Sequence, residues 1–118
     1  MKQKDTPRFA ARLNAFKIGS ETYWPGKNSI TTTDLLARAA TAGVNAADLN
    51  YPDHFMDDSP ADLLKALGDS GMILNGIAMR YYTEPGYKLG AFTHPNTVVR
   101  RAAIDETKRG LDVLAEMG

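Results

Sequence analysis

The segment Thr32-Thr33-Asp34-Leu35-Leu36 recurs as Pro60-Ala61-Asp62-Leu63-Leu64. The offset is 28 residues, and it persists beyond the matched segment. Nine residues after each Asp stands a glycine, Gly43 and then Gly71, and each glycine is followed by an apolar residue, Val44 and then Met72. A period of this size holds one helix, one tight turn and one strand, which is the unit of a parallel α/β fold. Parallel strands spaced this way need helical crossovers, right-handed by strong preference.

The helical halves of the repeat read clearly. Leu35, Leu36, Ala39 and Ala40 form one apolar stripe, and Leu63, Leu64 and Leu67 form its counterpart. Ser59 is placed to cap the second helix, with Pro60 at its first position and Asp62 in the first turn, where the helix dipole favours negative charge. Gly43 and Gly71 suit the left-handed residue that follows a helix. A third helix is expected over residues 96–117, with Val99, Ala103, Val113 and Met117 inward and Gly118 as its stop. Gly110 interrupts it, as either a weak point or a close-packing site. The strands are expected over residues 12–18, 44–50 and 72–79, giving strand–helix alternation three times over.

The connections are unequal. Helix-to-strand turns shrink to one or two residues around Gly43 and Gly71, whereas the strand-to-helix loops, 19–31, 51–58 and 81–93, are long. Those loops carry Tyr23, Trp24, His54, Tyr81, Tyr82 and Tyr87, with His94 just beyond. In α/β proteins the carboxyl ends of the strands are the working end. No G-x-G-x-x-G follows any strand, so a dinucleotide fingerprint is lacking.

The stretch GVNAADLNYPDHF, residues 43–55, concentrates the candidates. Asp48 and Asn50 are two apart and share one face of the second strand. Burial of an unpaired carboxylate is costly, so that face is expected to be the one without helices rather than the helix-covered side. A substrate contact and a structural hydrogen bond are both open for the pair. His54 has Asp53, Asp57 and Asp58 nearby, and a histidine titrating near neutrality suits proton transfer. The alternative is a loop histidine packed against Phe55. Arg80 ends the third strand and can contact an anion or a ligand hydroxyl, or pair with Asp48 or Glu21. Trp24 and Tyr23 lie in the first loop, where a Trp can wall a ligand site or clamp the loop itself. His94 reads as a cap, and Arg100-Arg101 as a solvated or ion-paired dipeptide.

Acidic and basic side chains balance, 14 against 14, which gives no footprint for a nucleic-acid backbone. No apolar run is long enough to span a bilayer, and MKQKDTPRFA lacks the apolar core of a signal peptide. The absence of Cys excludes disulfides, Cys-held zinc and thiol chemistry, and fits a reducing cytoplasm.

Taken together, GVNAADLN, LNYPDHF, GMILNGIAMR, KLGAFTHP and VVRRAAIDETKRGLDVLAEMG resemble the xylose-isomerase-like TIM-barrel superfamily, chiefly its sugar isomerases and sugar phosphate isomerase/epimerase-type members. The resemblance runs from about Phe9 to Gly118. It implies that residues 1–118 are the N-terminal part of a (β/α)8 barrel, the first three strand–helix units of a fold with eight strands and typically about 250 residues. It implies a cytoplasmic, divalent-metal-dependent (Mn, Mg, Co or Zn) sugar isomerase or epimerase acting on a small sugar or sugar-like substrate, with neither nucleic acid nor membrane as partner and homo-oligomerisation left open. A polyol dehydratase, an endonuclease IV-like phosphodiesterase and a non-catalytic fragment are the alternatives on the same barrel. In the resembled family a His after the second strand helps open the sugar ring, which singles out His54, although YPDHF departs from the xylose isomerase pattern. Asp48, Asn50, Arg80, Trp24 and Tyr82 are then the substrate-binding candidates. The family's metal ligands lie on later strands, so none is expected on this chain, and the chain alone is expected to be inactive.

Overall fold

A computed structural model describes residues 7–18 and 20–118, without the side chains of Ser20 and Glu21. The elements run β1 (Ala10–Arg12), a 3-10 helix (Leu13–Lys17), α1 (Ser20–Tyr23), α2 (Thr32–Thr41), β2 (Ala46–Tyr51), a 3-10 turn (Asp53–Phe55), α3 (Pro60–Asp69), β3 (Ile73–Met79), two further 3-10 turns (Tyr81–Thr83 and Pro85–Tyr87) and α4 (Thr97–Glu116). The three strands form one sheet in the order β1-β2-β3, with both pairings parallel. This is the mixed α/β arrangement that the 28-residue repeat predicts.

Both repeated helices start on the same device. Thr31 Oγ1 accepts from the Asp34 backbone N–H at 3.2 Å, and the Asp34 carboxylate accepts from the Thr31 N–H at 3.0 Å. Ser59 and Asp62 repeat this reciprocal capping box at the head of α3. Each box satisfies two of the donors that a helix start leaves without partners. Burial raises the Asp34 carboxyl, but hydrogen bonds from Lys27 and Thr31 outweigh it and hold the group below its ordinary value. At the other end, Gly43 and Gly71 take φ of +89° and +67°, the left-handed conformation that lets the chain reverse into the next strand.

The core lies on the sheet face of Ala47 and Leu49, both fully buried. Leu35, Leu36 and Ala39 of α2, Leu63 and Leu67 of α3, and Met117 just past α4 pack there. Residues 46, 48 and 50 of β2 stand on the opposite face, by the alternation of a strand. The β2–β3 register slips once: Ala47 pairs with Leu74 but Asp48 pairs with Gly76, leaving Asn75 as an extra residue. Asn75 turns its Nδ2 to Asp48 Oδ1 at 2.8 Å. Asp48 thus has a structural partner three residues short of the strand's end.

The first strand differs from its expected place at residues 12–18. It is Ala10–Arg12, and Leu13–Lys17 winds into a 3-10 helix. The physical reason is spacing. Leu13, fully buried, and Phe16, packed against the core, are three apart, the interval of a helical turn and not of a strand. The other strands fall within two residues of expectation, and the third helix is Thr97–Glu116 with Asn96 Oδ1 accepting from Val98 N–H.

Gly110 proves to be a close-packing site. A Cβ there would stand 2.6 Å from Met79 Sδ and 3.5 Å from the Tyr51 ring. Gly110 lets α4 lie directly on the ends of β2 and β3. Gly110→Val is expected to push the helix outward and destabilise the fold by about 1–3 kcal/mol, through overpacking that outweighs the gain in helix propensity. The midpoint of chemical denaturation checks it; an unchanged or higher midpoint would show that Met79 yields freely.

Candidate functional site

The carboxyl ends of the strands carry the polar residues, and Gly43 and Gly71 mark the opposite end. β1 ends at Arg12, level with Asp48, so no β1 residue is in register with Asn50. The loop after β2 supplies what β1 does not. It turns through the cis Tyr51–Pro52 peptide and a 3-10 turn, and His54 Nδ1 accepts the Asn50 backbone N–H at 2.7 Å. His54 Nε2 lies 3.0 Å from Asn14 Oδ1. Because Nδ1 accepts, the proton is on Nε2, which donates to Asn14. Thr32 Oγ1 donates to the His54 carbonyl at 2.7 Å and fixes the loop from the start of α2. His54 is 6% exposed, and burial pushes its pKa below the ordinary 6.5. Asp53 opposes that shift, while Arg80, Lys17 and Arg12 add to it. The imidazole is therefore neutral at neutral pH.

A cavity of about 420 Å³ opens beside this loop. Asn14, Lys17, Asp53, His54, Asp57 and Arg80 supply its polar wall, and Ile30 and Leu35 part of its apolar floor. Donors and acceptors thus share one space of small-molecule size. Arg80 Nη1 stands 3.8 Å from Asp53 Oδ2, so the carboxylate near Arg80 is Asp53; Asp48 is instead engaged by Asn75. The Glu21 side chain lies outside the described residues, as does Gly19 at the head of its loop. Tyr82 stacks 4.9 Å from the Arg80 guanidinium. Arg12 Nη2 donates to Asn50 Oδ1 at 3.0 Å.

The structure therefore brings Asn50, His54 and Arg80 together, with Tyr82 behind Arg80 and Asp48 a step further into the sheet. Trp24 goes elsewhere. Its Nε1 donates to the Phe16 carbonyl at 3.1 Å, and the Arg38 guanidinium sits 4.7 Å from its ring and 4.9 Å from that of Tyr23. That is the clamp reading of a loop Trp. His94 acts locally as well: its Nδ1 accepts from Asn96 N–H at 3.0 Å, and its carbonyl accepts from Arg100. Asn14 and Lys17 were hidden by the reading of their segment as strand; the three-residue spacing of Leu13 and Phe16 was the signal that could have exposed them.

A second cavity, of about 400 Å³, lies between the β3–α4 loop and the first half of α4, and Arg80 borders it too. Tyr81 stands edge-on to Tyr87 and Phe92 there, and its hydroxyl bonds Thr107. Among the described residues, no group of three or more His, Cys, Asp or Glu could hold a metal ion, and no helix is long and apolar enough to cross a membrane. In comparisons with known proteins, no family model matches the chain and no solved structure matches it significantly.

Proposed function

We propose that the protein is a sugar isomerase or epimerase on a (β/α)8 barrel of the xylose-isomerase-like kind, and that this chain supplies its first three strand–helix units. The observation that carries the reading is the cavity at the carboxyl ends of the strands, whose wall combines Lys17, Asn14 and Arg80 with Asp53 and Asp57 around a small-molecule space. A polyol needs both donors and acceptors, because each hydroxyl does both. A neutral, firmly held imidazole beside that space supports the same reading. His54 keeps its orientation through Nδ1, and its Nε2–H is the end available to a sugar oxygen that takes the place of Asn14.

The barrel part of the proposal draws on the edges. Among the described residues β3 is paired on one side only, and apolar Ile73, Ile104 and Leu111 are exposed on β3 and α4. A further strand and helix would cover such surfaces. The family's metal would supply electrophilic assistance; the described residues do not themselves assemble a set for it. What they do in this reading is bind hydroxyls, orient the sugar and hold a proton on His54 Nε2.

The test is turnover. The full-length protein, with divalent metal added, is incubated in D2O with a panel of aldoses and ketoses and followed by proton NMR. The expected result is an isomer or epimer of at least one sugar. Loss of water or cleavage of a phosphodiester in place of isomerisation would overturn the proposal.

A further inference from the structure

We propose that Asn14 is an internal competitor at this site: its side-chain oxygen holds the place on His54 that a sugar oxygen takes, and it swings aside when a sugar binds. The inference rests on the sugar-site reading above and names a control on that same site.

The donor is rigid. His54 is 6% exposed, its Nδ1 accepts the Asn50 backbone N–H at 2.7 Å, and its carbonyl accepts from Thr32 Oγ1 at 2.7 Å. A flipped ring would set carbon against the strand's N–H, so the imidazole keeps one orientation. Nε2 carries the single N–H of the neutral ring and can only donate. Whatever stands before it must offer an acceptor, and Asn14 does so with Oδ1 at 3.0 Å.

The acceptor is not rigid. Asn14 is exposed, and among the described residues its side chain hydrogen-bonds to His54 alone. Its backbone is held independently. Leu13 beside it is fully buried, and the Phe16 carbonyl accepts from Trp24 Nε1 at 3.1 Å. Turning the Asn14 side chain therefore breaks one hydrogen bond and leaves the 3-10 helix (Leu13–Lys17) in place. Asn14 and His54 border the same cavity, so the position that the amide oxygen gives up opens on that space. A hydroxyl or carbonyl oxygen of a sugar accepts as an amide oxygen does, and one substitutes for the other at Nε2–H.

Asn14 thereby spares the His54 donor from standing unpaired when no sugar is bound. In return, the apparent affinity for sugar falls by the fraction of molecules in which Nε2–H is free. One hydrogen bond between neutral groups sets that factor at about two- to tenfold.

The experiment follows the His54 ring nitrogens by 15N NMR in the wild-type protein, in Asn14→Ala and in Asn14→Asp, each titrated with D-glucose, D-fructose, D-xylose and D-xylulose. Asn14 is exposed, so neither substitution threatens the core. Before sugar is added, Nε2–H is expected to exchange with water faster in Asn14→Ala than in wild type. A sugar that shifts Nε2 is expected to bind Asn14→Ala about two- to tenfold more tightly than wild type. It is expected to bind Asn14→Asp about fivefold or more weaker, because a carboxylate holds Nε2–H in a charge-assisted bond. An Asn14 that only braced the loop would give weaker binding in both variants. Equal or weaker binding by Asn14→Ala, or unchanged exchange of Nε2–H, overturns the competitor and leaves the sugar site standing. Response of Nε2 to none of the four sugars overturns both this inference and the reading beneath it.

Discussion

Prepared alone, the 118-residue chain is expected to self-associate. Among the described residues each of β1 and β3 has one paired side, so the sheet presents two open edges. Open edges and exposed apolar side chains seek partners. Beside the β3 edge, Ile73, Leu64, Ile104 and Leu111 are 43–59% exposed. Light scattering behind size-exclusion chromatography should give a mass above the 12.9 kDa of one chain, or a broad distribution. On the barrel proposed above, extension through its further strands should give a soluble, cooperatively unfolding protein. A monodisperse monomer of 118 residues with a sharp denaturation transition would contradict the barrel reading and favour a complete small α/β domain.

The second large effect is at His54. His54→Ala removes the acceptor for a buried backbone N–H beyond the end of β1, and leaves a hole between the loop and Asn14. An unsatisfied buried donor costs about 1–3 kcal/mol, and lost packing adds to it, so a destabilisation of about 2–4 kcal/mol is expected. The wild-type contribution depends on pH. Burial lowers the folded-state pKa of His54 below 6.5, so the unfolded chain takes up the proton first. The stabilisation is then fully present above about pH 6.5 and is lost as pH falls through the lower folded value. Denaturation midpoints of the full-length protein between pH 5 and 8 should decline toward acid, and His54→Ala should remove that part of the slope. A parallel slope in the variant would assign the titration to another group.

Much of the fold was legible because the repeat is local chemistry. A cap, an apolar stripe and a glycine stop each act within a few residues, so α2, α3 and the strands after them could be placed from spacing alone. The segment after β1 was not, since its form depends on Asn14 meeting His54 and on Phe16 meeting Trp24, contacts set by chain returning from elsewhere. The candidate site was half legible for the same reason. Asn50, His54 and Arg80 stand at strand ends, and strand ends can be read. Asp53 as the neighbour of Arg80, and Asn14 and Lys17 as wall residues, follow from how the β2 loop folds back. Asp48 met Asn75 through a register slip that no periodicity announced.

The most direct measurement is a crystal structure of the protein soaked with whichever sugar the isomerase assay identifies as substrate. The account predicts the sugar at the carboxyl ends of the strands, with hydroxyls within hydrogen-bonding reach of Arg80 and of the His54 loop. A sugar bound at the opposite end, beside Gly43 and Gly71, or in the groove of Trp24 and Arg38, would contradict it.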